Sequence, residues 1–211
     1  TNLHSSEFMD VDAVVDLQAL GLDQIAIASD QIDLGAMVRL QQIVQHPGIP
    51  PLVSKMAQRD GPNTFRNAGT IGGLVATGDN ESELFAALLV HETSVAFQTA
   101  DGIQRIPLQD FSLNLLNKGL ILSVSLIPGG KGASARVART PAESPIVAVV
   151  GRKNEGGEVV LALCGIDNRP KIIDLADLDG ITPPADFRGS SAYRREMAMI
   201  LSKRVLNQLT S

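Results

Sequence analysis

Residues 66–79 read Arg-Asn-Ala-Gly-Thr-Ile-Gly-Gly-Leu-Val-Ala-Thr-Gly-Asp and carry the pattern most able to do chemistry. Gly72-Gly73 removes two successive Cβ atoms, so neighbouring backbone N–H groups are free to converge on an anion. Thr70 adds a hydroxyl donor beside them. Such a nest suits a pyrophosphate, and because no lysine stands nearby, backbone donors rather than a point charge would hold it. The spacing alone leaves a second reading open, a tight Gly-Gly turn that binds nothing. It matches neither Gly-x-x-x-x-Gly-Lys-Ser/Thr nor Gly-x-Gly-x-x-Gly. Arg66 either steers a phosphate or pairs with a nearby carboxylate.

Other reactive side chains are few. Cys164 is the single cysteine, which excludes an internal disulfide, a cysteine-ligated zinc site and an iron–sulfur cluster held by this chain alone. Its setting, Leu161-Ala162-Leu163-Cys164-Gly165, reads as buried core. His4, His46 and His91 lie in unrelated contexts without metal-ligand spacing. Ser190 and Ser191 have no activating partner in sequence and read as helix caps.

The composition narrows the function classes. Of 211 residues, 44% are hydrophobic and 19% charged, enough apolar surface for a core and too few charges for a disordered chain. With 18 Lys+Arg against 23 Asp+Glu the net charge is −5, and no basic cluster forms. A nucleic-acid partner is not expected, because phosphate binding draws on clustered cations. No run is long and apolar enough to span a bilayer and no basic-then-apolar leader opens the chain, so membrane insertion is not expected and the default compartment is the cytoplasm. The chain opens Thr1-Asn2-Leu3 without methionine and reads as a fragment.

The elements that must position the glycine-rich segment follow from periodicity. Residues 13–17, 24–28 and 31–35 read as short strands. Leu40, Ile43 and Val44 recur at helical spacing until Pro47, and a second helix runs through Leu52, Val53, Met56 and Ala57. Residues 60–83 read as one glycine-dense polar segment. Beyond it come a helix from Glu83 to Val90 and strands at 93–98, 105–108 and 119–127. Residues 131–139 form a sparse basic segment. A hairpin then joins 145–150 to 159–165 across Asn154-Glu155-Gly156-Gly157, a linker covers 167–186, and a terminal helix spans 190–209 with Met197, Ile200, Leu201, Val205 and Leu209 on one face. The order implies an α+β fold in two subdomains.

Residues 66–84, R-N-A-G-T-I-G-G-L-V-A-T-G-D-N-E-S-E-L, resemble the second flavin motif of the FAD-binding medium subunit of the molybdenum hydroxylases, the family of xanthine dehydrogenase and aerobic carbon monoxide dehydrogenase. Leu34-Gly35-Ala36, Leu40, residues 120–128 and residues 186–205 are similar to flanking parts of the same subunits. Thr1-Asn2-Leu3 looks like the tail of the family's first flavin motif. The sequence departs from the pattern at Leu74, where the family has Asn, at Glu83, where it has Asp, and at a family lysine after residue 130, where Lys131 and Arg136 are the nearest cations.

The resemblance implies an FAD-binding, PCMH-like subdomain lacking its N-terminal lobe over residues 1–130, and a smaller C-terminal α+β subdomain with hairpin and terminal helix over 131–211. It implies that Thr1, Asn2, Asn67, Gly69, Thr70, Gly72, Gly73, Ala76, Asp79, Glu83, Leu120 and Ile121 contact FAD. Thr70, Gly72 and Gly73 would hold the pyrophosphate, Gly69 and Ala76 would allow close approach, and Leu120 with Ile121 would pack on the isoalloxazine ring. Asp79 and Glu83 either orient FAD hydroxyls or charge the start of the following helix. No catalytic side chain and no metal is implied. The partners would be an iron–sulfur small subunit and a molybdopterin large subunit, with electrons leaving the flavin for NAD, a quinone or oxygen. The alternative is a degenerate member that serves assembly without flavin.

Overall fold

The computed structural model describes residues 15–112, 114–115 and 119–211. Residues 13 and 14 of the first expected strand lie outside that range, and 15–17 form no strand; a 3-10 turn at Gln18–Leu20 follows them. The first antiparallel sheet has the order β1-β2-β5-β3-β4, from β1 (Ile25–Ile27), β2 (Ile32–Gly35), β3 (Ser94–Thr99), β4 (Gly102–Pro107) and β5 (Gly119–Leu126). Between β2 and β3 run α1 (Leu40–Gln45), α2 (Pro51–Arg59), α3 (Asn63–Ala68), α4 (Ile71–Thr77) and α5 (Glu83–Val90). The second sheet, β6-β7-β8-β9, comes from β6 (Lys131–Val137), β7 (Val147–Lys153), β8 (Val159–Cys164) and β9 (Lys171–Ile172), and α6 (Ser191–Thr210) follows it.

α5 reads Glu-Leu-Phe-Ala-Ala-Leu-Leu-Val and is buried along its whole length. A helix apolar on every side needs cover on every side. α2 and one face of the second sheet supply it: Ala148, Val150, Ala162 and Cys164 join the α5 core. The alternate residues Val147, Val149, Leu161 and Leu163 face α6 with Ala198, Leu201, Val205 and Leu209. The period of two along β7 and β8 thus places successive side chains in two different cores, which is why both strands are almost continuously apolar.

Four expectations change. Residues 131–139 are not an irregular basic segment: 131–137 form β6, whose pairing with β7 is set by backbone hydrogen bonds that small residues such as Gly132, Ala133 and Ala135 permit. The 167–186 stretch contains β9 and a 3-10 turn at Leu175–Gly180. Ile200 is exposed on α6, while Arg194 and Ser202 are buried there. Arg194 is held there because its Nη1 donates to the carbonyls of Ile146 and Gly165 and its Nη2 pairs with Asp186 at 2.7 Å, while its buried Nε has no partner. Lastly, residues 60–83 are not one loop but carry two short helices, α3 and α4, and that change bears on the site.

Candidate functional site: a cleft above the first turn of α4

A cleft of about 350 Å³ opens between α2, α3, α4 and the start of α5, with Ala142, Ser144 and Pro145 closing its far wall. Gly69, Thr70, Gly73, Asp79 and Glu83 all line it, together with Arg59 and Asp60.

Local pairing sets the geometry. Leu40 N–H donates to Gly69 O at 3.0 Å and Ile71 N–H to Val38 O at 2.9 Å, so the chain after β2 and the chain entering α4 run side by side. Gly72 N–H then donates to Ala36 O at 2.9 Å. A Cβ on Gly72 would sit 2.8 Å from both Ala36 Cβ and Ala36 O, so only glycine permits the approach. Thr70 is the N-cap of α4, its Oγ1 accepting from Gly73 N–H at 3.1 Å.

This corrects the anion nest. The amides of Ile71, Gly72 and Gly73 are helical and already bonded within the chain, so none of the three is a vacant donor for a pyrophosphate. Helix formation outcompeted the nest, because the same missing Cβ atoms that free a loop let α4 start directly against Ala36. The group left to meet a ligand is the Thr70 hydroxyl, which keeps its proton to donate while its oxygen caps the helix.

The remaining site residues divide. Asn67 faces solvent on α3 and its amide donates back to Asn63. Ala76 packs against the core. Leu120 and Ile121 lie on β5 opposite Gln98 and Phe97 and are not among the cleft-lining residues. Thr1 and Asn2 lie outside the described residues. Arg66 makes no salt bridge with a carboxylate among the described residues: it donates to Gln41 Oε1 and to the carbonyls of Gln58 and Gly61, tying α3 to α1 and to the end of α2.

Ser82, not Asp79, caps α5, accepting from Phe85 N–H at 3.0 Å. Asp79 instead accepts from Glu81 N–H at 2.9 Å and remains exposed beside the cleft. Glu83 is buried at the first residue of α5, with Oε1 3.1 Å from Arg59 Nη1 and Oε2 2.8 Å from Arg136 Nη1. Arg136, one of the two cations nearest the position of the family's lysine in sequence, is thus on β6 and paired with Glu83.

Asp60 is the residue that sequence reasoning missed. It ends α2, its N–H donating to Ala57 O, and its Oδ1 accepts the Ser82 hydroxyl at 2.8 Å. Burial, reinforced by the charges of Asp79 and Glu83 and opposed by hydrogen bonds from the Ser82 hydroxyl and the Leu84 backbone, pushes its carboxyl up to about 6. The only available signal was an acidic residue directly before Gly61-Pro62, which many surface turns share.

The family described as the FAD binding domain in molybdopterin dehydrogenase matches residues 2–128. The chain belongs to that family. FAD is therefore its cofactor class, and the resemblance carried by residues 66–84 holds. Among relatives, the glyceraldehyde dehydrogenase medium chain of Sulfolobus acidocaldarius is 24% identical across 94% of this chain and 83% of its own length. The nicotinate dehydrogenase FAD-subunit of Eubacterium barkeri is 28% identical across 66% of this chain and 52% of its own. The fold is shared with a solved carbon monoxide dehydrogenase of Hydrogenophaga pseudoflava, with a TM-score of 0.79 at 18% identity over 89% of this chain and 78% of that one. Quinoline 2-oxidoreductase from Pseudomonas putida 86 gives a TM-score of 0.74 at 19% identity over the same shares.

The cleft fits part of an FAD-like dinucleotide. Its wall offers small residues for close approach, the Thr70 hydroxyl and the Arg59 guanidinium as donors, and carboxylates able to accept from hydroxyls. Among the described residues no group of three or more His, Cys, Asp or Glu is placed to hold a metal, and no helix is long and apolar enough to cross a membrane.

Proposed function

We propose that this chain is the flavin-carrying subunit of a multisubunit oxidoreductase, passing electrons from an iron–sulfur and molybdopterin-containing partner assembly to NAD, a quinone or oxygen. The carrying observation is that Gly69, Thr70, Gly73, Asp79 and Glu83 meet in one cleft within the stretch that matches the FAD-binding family. The relatives' descriptions as a medium chain and an FAD-subunit support a role within a complex. So does 6-hydroxypseudooxynicotine dehydrogenase complex subunit alpha of Paenarthrobacter nicotinovorans, which is 32% identical over 54% of this chain.

When bound, FAD supplies one- and two-electron redox chemistry. The chain's own part is positioning. Thr70 donates its hydroxyl while capping α4, Gly69 and Gly73 keep the wall open to the ligand, and Arg59 offers its remaining N–H groups. Glu83 holds Arg59 and Arg136 in place and so fixes β6 against the cleft. Residues 1–130 form the flavin domain in this reading and 131–211 the C-terminal domain, in a cytoplasmic complex.

The test is the absorption spectrum of the full-length protein purified with its partner subunits. Flavin bands near roughly 370 and 450 nm that copurify with iron and molybdenum support the reading. A colourless complex that takes up no added FAD overturns it in favour of an assembly module.

A further inference from the structure

Most polar groups around the cleft are already committed. The α4 amides are bonded internally. Glu83 is taken by Arg59 and Arg136. Glu81 is taken by Arg188, which also pairs with Asp186. The Ser82 hydroxyl is spent on Asp60 and on Phe85 N–H. Asp60 differs: it lines the cleft, its carboxylate accepts from the Ser82 hydroxyl and from the Leu84 backbone, and none of the salt bridges among the described residues includes it. A carboxylate has about four acceptor positions, so with two of them taken Asp60 retains acceptor capacity in the wall of the cleft.

Its placement is rigid. Asp60 N–H is held by Ala57 O, and the following Gly61, at φ +139°, is pinned through its carbonyl by Arg66. A fixed acceptor in a partly enclosed wall discriminates ligands, because a donor that meets it is rewarded and an anion that meets it is repelled.

Resting on the FAD reading, we propose that Asp60 is the specificity-determining residue that receives a sugar hydroxyl of the bound dinucleotide, from either its ribose or its ribityl chain. The hydroxyl donates to the Asp60 carboxylate, and the Ser82 hydroxyl holds that carboxylate from the other side. A phosphate at this position is disfavoured by the same charge, so the diphosphate lies elsewhere along the cleft.

A pH dependence follows. Because burial raises the Asp60 carboxyl to about 6, acidification converts the acceptor into a neutral acid. The charged groups around it are Arg59 on its own helix, Asp79 and Glu81 from the α4–α5 connection, Glu83 from α5, Arg136 from β6 acting through Glu83, and Arg188 acting through Glu81. A ligand that donates to the carboxylate binds the ionised form, so affinity falls as pH falls through about 6, by at most about tenfold from pH 8 to pH 5.

The experiment is titration of the flavin-stripped complex with FAD, followed by flavin fluorescence, at pH 5 and pH 8, for the wild type, Asp60→Asn and Asp60→Glu. Parallel arms use FMN, which carries only the ribityl chain, and ADP, which carries only the ribose, with ADP read by competition. The expected result is a wild type that weakens on acidification and an Asp60→Asn protein that is weak and flat across pH. Asp60→Glu keeps a pH dependence, and the arm that loses affinity in Asp60→Asn names the sugar. Tighter FAD binding by Asp60→Asn, or wild-type affinity that rises on acidification, overturns the proposal. If Asp60→Asn does not fold, the wild-type pH profile alone decides by its sign. A wild type that binds FAD at neither pH defeats the FAD reading itself, whereas FAD affinity unchanged in Asp60→Asn overturns the assignment of Asp60 and leaves that reading standing.

Discussion

Glu83 Oε2 lies 2.8 Å from Arg136 Nη1 although 53 residues separate the two in sequence. Glu83 stands on α5, the helix covered by α2 and one face of the second sheet, and Arg136 on the first strand of that sheet. A single carboxylate therefore ties the glycine-rich half of the chain to the half that follows residue 130, at the edge of the proposed flavin cleft. Its second oxygen holds Arg59, whose side chain is a third exposed and so contributes the weaker arm.

Removing that charge leaves Arg136 largely buried opposite a neutral amide. Breaking a buried pair by deleting one partner costs about 3–5 kcal/mol, so Glu83→Gln is expected to lower the unfolding free energy in urea by roughly that range. Adding Arg136→Met to it should cost little more, because the unpaired cation is gone. Strict additivity of the two substitutions would show that the pair does not couple.

Gly72→Ala tests the other reading of the Gly-Gly pair. The new methyl would press on Ala36 at 2.8 Å, against backbone that also accepts the Gly72 hydrogen bond. Overpacking of this kind costs about 1–3 kcal/mol, and α4 should move away from the sheet, weakening flavin binding as well. Gly180→Ala meets nothing within 4 Å and serves as the control. Equal melting temperatures for the two variants would remove close approach as the reason for glycine at 72.

The hairpin and the terminal helix were readable because the apolar runs of β7 and β8 and the Ser190-capped helix are local signals. α5 was equally plain, since eight nearly unbroken apolar residues admit few alternatives. The 60–83 stretch was misread because glycine marks both loops and close packing, and only the partner atom decides; Ala36, 36 positions before Gly72, is invisible to any local window. β6 escaped because its small residues carry little β propensity and its pairing with β7 is what makes it a strand. Arg66 and Asp60 were hidden for a related reason: their distant partners, Gln41 and Ser82, are brought in only by the packing of α1 against α3 and of α2 against α5.

Thr70→Ala removes a helix cap and a ligand donor together, and Thr70→Ser separates them. Loss of the cap to Gly73 costs about 1 kcal/mol, so the alanine variant should melt lower in the absence of flavin. Serine restores the cap and the hydroxyl, and both the apo stability and the FAD affinity should return toward wild type. FAD affinity unchanged in Thr70→Ala would exclude the hydroxyl from the ligand contact while leaving its capping role intact.

Two buried groups give the protein opposing responses to acid. His91 donates from Nδ1 to Ile127 O at 2.7 Å, and burial, aided by the charge of Arg152 and opposed by that hydrogen bond, lowers its pKa from 6.5 to about 4. Between those values the unfolded chain binds the extra proton, so stability falls as pH drops from about 6.5 to about 4, by on the order of 3 kcal/mol. Asp60 has the reverse sign: its folded carboxyl titrates at about 6 against 3.8, the folded state holds the extra proton between them, and stability rises as pH drops from about 6 to about 4. Solvent at the cleft reduces that gain below the His91 loss. Urea midpoints measured from pH 7 to pH 4 should therefore change little in the wild type relative to either variant. His91→Asn, which keeps a donor for Ile127 O, should gain stability relative to the wild type on acidification, and Asp60→Asn should lose it. The other carboxylates contribute equally to all three proteins and drop out of the comparison, so parallel profiles for the two variants would refute the assignment of opposite signs.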